Sequence, residues 1–160
     1  MVRTEISLFL KNQPGELAKL AKLFTANSVN IDAMTIQDAS EYVKMLFQAR
    51  GRSIRRVASA ANYSSMQKDS AEYALIRVIV DKTDLAVSLL AENEYVFDMI
   101  PVIALILENR PGQLAELADT FGREGINIQY VYGSGIPGSD RALYVFCPED
   151  MELAVKIMKQ

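Results

Sequence analysis

Apolar residues along the chain change their spacing in a fixed order, and they do so twice. Glu5 to Lys11 and Val102 to Leu107 are strand-like runs, and each leads into an Asn-x-Pro-Gly motif. Beyond the first motif Leu17, Leu20, Ala21 and Phe24 fall at i, i+3, i+4 and i+7; beyond the second, Leu114, Leu117, Ala118 and Phe121 repeat that spacing. Each set predicts a helix with one apolar face. Pro14 and Pro111 suit the first helical position, where the missing N–H is not needed. A second strand is predicted from Asn30-Ile31 and from Asn127-Ile128, and a third at Tyr73 to Val80 and Ala142 to Cys147. A second helix follows at Leu85 to Ala91 and at Met151 to Met158. The third strand of the first copy and the first strand of the second are apolar almost throughout, the pattern of strands buried on both faces.

The two copies align at a constant offset: Pro14 and Pro111 lie 97 residues apart, and so do Leu8 and Leu105, Phe24 and Phe121, Asn30 and Asn127, and Ile31 and Ile128. The order is βαββα in both, with a fourth strand at Tyr95 to Ile100 in the first copy, whereas Gln160 follows directly on the second helix of the second. This predicts an α+β protein of two tandem ferredoxin-like βαββαβ modules, with antiparallel sheets and helices on one face. The modules would span residues 1–100 and 101–160, the second lacking its last strand and leaving an edge that a partner could pair. Residues 41–71 break the repeat as an insertion between strands two and three, where Ile54, Val57, Ala58 and Ala61 keep helical spacing. Arg50, Arg52, Arg55 and Arg56 make the insertion basic, which suits a solvated helix face, with docking to an acidic partner as the alternative.

Composition narrows the function. The 160 residues are 50% hydrophobic and 23% charged, enough to bury a core, and the net charge of −3 gives no general attraction to nucleic acid or an anionic membrane. No histidine occurs, which removes the usual base of nucleophilic triads and the commonest zinc ligand. The longest apolar stretch, Met99 to Leu107, falls far short of the roughly 20 residues that span a bilayer, and the charged start precedes no signal-peptide core. A cytoplasmic protein is expected, with no metal, no cofactor and no catalytic constellation. The single cysteine, Cys147, is expected to be a buried strand thiol. Gly133 to Gly138 spells G-x-G-x-x-G but is followed by a strand, so it is expected to be a hairpin loop and not a phosphate cradle. Tyr130 and Tyr132 are expected at the core and rim of their strand and not as a base-stacking platform.

Asn-x-Pro-Gly-x-Leu at a strand-to-helix turn, followed by Asn-Ile at the second strand, resembles the ACT domain family of amino-acid-sensing regulatory modules. The second copy, Glu108 to Gly112 through Gly125 to Ile128, is similar to the serine-sensing regulatory domain of phosphoglycerate dehydrogenase. Leu10 and Leu107 stand where that relative carries a ligand-touching histidine, which speaks against serine here. The resemblance implies a non-catalytic allosteric sensor that binds a free amino acid at module interfaces. The partners implied are a second copy of the chain, in a homodimer or larger homo-oligomer, and a biosynthetic enzyme. The alternative is a regulatory subunit resembling the small subunit of acetohydroxyacid synthase.

The candidate ligand residues are Asn12, Gln13, Pro14, Gly15, Glu16, Leu17, Asn30 and Ile31 in the first copy, and Asn109, Arg110, Pro111, Gly112, Gln113, Leu114, Asn127 and Ile128 in the second. Free N–H groups at a helix start can receive a carboxylate, and an asparagine carbonyl can accept from an ammonium. The second copy, nearer the family pattern, is expected to hold the better site.

Overall fold

The computed structural model describes residues 1–38 and 73–159. The insertion at 41–71, its helix and its arginine cluster lie outside the described residues. The described elements run β1 (Val2–Lys11), α1 (Glu16–Ala26), β2 (Ile31–Asp38), β3 (Tyr73–Val80), α2 (Thr83–Glu92), β4 (Phe97–Glu108), α3 (Gln113–Arg123), β5 (Ile128–Gly135), β6 (Arg141–Pro148) and α4 (Met151–Ile157). They form two compact units: Ile6–Asp98, and Met99–Gln160 together with Met1–Glu5.

In the unit Ile6–Asp98, β3 lies between β2 and β1 and is antiparallel to both, with Val78 opposite Ile6 on one side and Met34 on the other. The Phe9 amide donates to the Val96 carbonyl at 3.3 Å, which places the approach to β4 on the far side of β1. Alternate residues of the strands, Ile6, Leu8 and Leu10 with Ile76, Val78 and Val80, form one apolar face. Leu20 and Phe24 of α1 and Ala86 and Leu90 of α2 close over it. Leu8, Leu20, Ile76 and Leu90 are fully buried, each worth about 1.5–3 kcal/mol relative to exposure. β3 is buried on both faces, as its apolar run, broken only by Arg77, implies, with Leu75 at 7% and Ile79 at 1% exposure.

In the other unit β6 lies between β5 and β4, antiparallel to both, and Ile103 stands opposite Phe146. Leu117 and Phe121 of α3 and Ala154 of α4 cover Ile103 and Phe146, and the rings of Phe121 and Phe146 lie 5.8 Å apart. Among the described residues no strand follows α4 in the second copy. The place such a strand would take beside β4 is filled by Met1–Glu5: Met1 and Ala104 exchange hydrogen bonds of 3.1 and 2.9 Å, the mark of an antiparallel pair. The edge that the sequence leaves bare is therefore covered by Met1–Glu5. Pro101 is tolerated within β4 for a geometric reason. The Ala104 amide points toward β1, so the nitrogen of Pro101 points the other way, toward β6, where pairing begins only at Ile103.

Three local expectations are corrected. Pro14 and Pro111 do not open the helices. The amide of Glu16 donates to the Gln13 carbonyl, and that of Gln113 to the Arg110 carbonyl, both at 3.3 Å. Gly15 and Gly112 take φ 92°. Pro-Gly at the centre of such a four-residue bend is a type II turn, which needs glycine in the left-handed region at its third position. The turn delivers the chain to a helix that starts one residue later. β4 is not buried on both faces along its length, since Ile106 is 62% exposed. Gly133 and Gly135 belong to β5 and not to the loop; a Cβ on Gly133 would lie 2.7 Å from the Tyr144 ring, so this glycine makes room for an aromatic neighbour.

Candidate functional site

The two Asn-x-Pro-Gly turns have the same backbone and different surroundings. In each, a strand end is handed through a type II turn to a helix whose first N–H groups lack helical acceptors. Neither helix start carries a side-chain cap. Leu17 and Leu114, one residue into the helices, are 36% and 40% exposed.

At the first turn Asn12, Gln13, Pro14 and Gly15 are exposed, and among the described residues nothing lies within 4 Å of where a Cβ on Gly15 would be. Glu16 turns sideways to Lys19, and that hydrogen bond, with the charge of Glu16, holds the Lys19 ammonium above its ordinary pKa. A cavity of about 790 Å³ opens here, lined among others by Phe9, Lys11, Gln13, Tyr73, Glu94 and Tyr95. Antiparallel register brings Tyr73 opposite Lys11. Phe9 and Tyr73 remain 48% and 39% exposed.

At the second turn the polar groups satisfy one another. The Asn109 side-chain amide donates to the Ser139 carbonyl at 3.0 Å, and its backbone N–H to the Asp140 carbonyl at 2.8 Å. Arg110 donates through Nε to Glu108 at 2.8 Å and through both terminal nitrogens to Glu116 at 3.0 and 2.9 Å. The paired hydrogen bond raises the Arg110 guanidinium and lowers the Glu116 carboxyl from their usual ranges. This ion pair sits over the turn, with Arg110 Nη1 and Glu116 Oε1 each 3.9 Å from the Cβ position of Gly112.

Within a copy, the structure does not bring the two asparagines together. Asn30-Ile31 and Asn127-Ile128 lie past the far ends of α1 and α3, which at 11 residues each are about 16 Å long. Asn30 pairs there with Asp81 and Asp32, and the Asn127 carbonyl accepts from the Glu149 amide. Sequence reasoning passed over Tyr73, Glu94 and Tyr95, which flank the first turn from elements distant in sequence. It also passed over Glu5, a fully buried carboxyl group that accepts from the Tyr130 and Tyr132 hydroxyls at 2.6 and 2.7 Å. Cys147 is buried, as expected, and its thiol donates to the side-chain oxygen Oε1 of Gln129 at 3.5 Å. Among the described residues no cluster of potential metal ligands occurs, and no helix is long and apolar enough to cross a membrane.

A family model described as an ACT domain pair matches residues 53–159. The fold is similar to protein BT0572 from Bacteroides thetaiotaomicron, with a TM-score of 0.72 and 23% identity over 99% of this chain and 88% of that one. It is also similar to the ligand-free regulatory subunit of aspartate kinase from Thermus thermophilus, with a TM-score of 0.55 and 14% identity over 100% of this chain and 94% of that one. The corresponding subunit from Thermus flavus gives 0.53 and 16%, again over 100% and 94%. No curated protein matches the sequence at a significant level.

Proposed function

The chain belongs to the ACT domain pair family, and from that premise we propose that it is a non-catalytic regulatory protein that binds a free amino acid at its strand-to-helix turns. The observation that carries this reading is the turn geometry. Two glycines at φ 92° open two uncapped helices, so small backbone and free N–H groups stand where a carboxylate could be received. The carbonyl of Asn12 or Asn109 would accept from the ligand ammonium, and Asn30 or Asn127 would contribute from another molecule. The signal would be a population shift, since a ligand bound more tightly to one arrangement of chains favours it by that difference in affinity. A thermal-shift screen of the twenty amino acids, followed by calorimetric titration, tests the reading. At least one amino acid is expected to raise the melting temperature as binding to the folded state requires. If none binds at about 10 mM, the reading falls.

A second reading is that the protein serves as a regulatory subunit on a biosynthetic enzyme. It is favoured by the likeness to structures described as regulatory subunits of aspartate kinase. Defined co-purification of the tagged chain with a catalytic subunit would separate it from a free-standing sensor.

A further inference from the structure

Resting on the amino-acid reading above, we infer that the ligand is taken at the first turn and not the second, and that it carries a bulky, preferably aromatic, side chain. The two turns share a backbone and invert their charges. Lys11, Gln13 and Lys19 of the first occupy the positions of Glu108, Arg110 and Glu116 of the second, each 97 residues on. In the second copy this lets Arg110 bridge Glu108 and Glu116 directly over Gly112, so a carboxylate already lies where an incoming one would approach. A second carboxylate would meet like charge there, and the arginine that could attract it has its donors engaged. In the first copy no such bridge can form: Glu16, which also lines the cavity, is drawn to Lys19, and among the described residues nothing lies within 4 Å of the Cβ position of Gly15.

The walls of the first site indicate the rest of the ligand. Phe9, Tyr73 and Val96 present apolar surface at 48%, 39% and 73% exposure, and Tyr95 is half-buried beside them. Exposed aromatic residues gathered around a polar turn, in a cavity of about 790 Å³, suit an apolar side chain laid against rings with its zwitterionic end at the turn. Lys11, opposite Tyr73 in the strand register, adds positive charge for the carboxylate. Glu94, held at φ 59° and also lining the cavity, supplies a carboxylate for the ammonium. A hydroxylated or acidic side chain would leave these rings unfilled or bring charge against them.

The test is calorimetric titration of the full chain with L-phenylalanine, L-leucine, L-serine and L-aspartate. Phenylalanine is expected to bind at one site per chain and at least about tenfold more tightly than serine or aspartate. Transplanting the second copy's bridge into the first, as K11E/Q13R/K19E, is expected to weaken phenylalanine by at least about tenfold while the ligand-free melting temperature stays within a few degrees. Tyr73→Ala, which leaves the charges untouched, should weaken it comparably and provides a second route should the triple variant fold poorly. Tight serine or aspartate binding that the triple variant abolishes would overturn the ligand class and leave the regulatory reading standing. Phenylalanine binding that survives both variants, or two sites per chain, would overturn the placement. If none of the twenty amino acids binds, the regulatory reading itself falls.

Discussion

Glu5 shows how much a single position can hold that a sequence does not display. It is fully buried in the unit of Met1–Glu5 and Met99–Gln160, and its carboxyl oxygens accept from the hydroxyls of Tyr130 and Tyr132. The two-residue spacing of the tyrosines puts them on one face of β5, which is visible in the sequence; their partner, 125 and 127 residues away, is not. Tyr130→Phe should destabilise the protein by about 1–3 kcal/mol in urea denaturation, the cost of leaving a buried acceptor short of a donor. Burial raises the Tyr130 phenol above its ordinary pKa of 10, and the hydrogen bond to Glu5 adds to the shift. Because the folded value exceeds the unfolded one, the neutral phenol's contribution is intact below about pH 10 and is lost as the pH climbs from there toward the raised folded value. Denaturation midpoints between about pH 9 and 11 should fall for the native chain and fall less steeply for Tyr130→Phe.

Strands and helices were more legible than their junctions. The heptad-like spacing of Leu20 with Phe24 and of Leu117 with Phe121 located α1 and α3, because a helix face buried on a sheet must keep that period. Pro-Gly was harder, since the same two residues serve a helix start or a type II turn and only the backbone dihedral at Gly15 or Gly112 separates them. The end of β5 was misplaced for a similar reason: Gly133 marks a close approach by Tyr144, not a bend. Gly133→Ala should therefore cost about 1–3 kcal/mol by overpacking, read as a lowered melting temperature. The pairing of β1 with β4 had no sequence signature, although it decides how the second copy is completed. Met1 donates to and accepts from Ala104 in that ladder, so the amide of Arg3, two residues on, faces β4 as well. Arg3→Pro should remove one ladder donor and speed hydrogen exchange at the Ala104 amide by about tenfold. Arg3→Ala, which keeps the backbone N–H, should not.

Over the whole chain, two strands serve both units: β1 gives Val2–Glu5 to one and Ile6–Lys11 to the other, and β4 is divided between Asp98 and Met99. At the two turns the copies carry opposite charges, Lys11 and Lys19 answering Glu108 and Glu116. Among the described residues β5 has a strand on one side only, and it carries Val131 at 42% exposure, which suits pairing with a second copy. Light scattering at micromolar concentration should accordingly report a dimer or larger assembly, and a stable monomer would count against the proposed interface site. The division of β1 also bears on the order of events during synthesis. Met1–Glu5 leave the ribosome well before their partner, since the strand they must lie beside, around Ala104, is made about a hundred residues later. At about 5–20 residues per second that is a wait of roughly 5–20 seconds. During that interval the unit Ile6–Asp98 can close, while Met1–Glu5 wait for the strand around Ala104 to arrive and receive them.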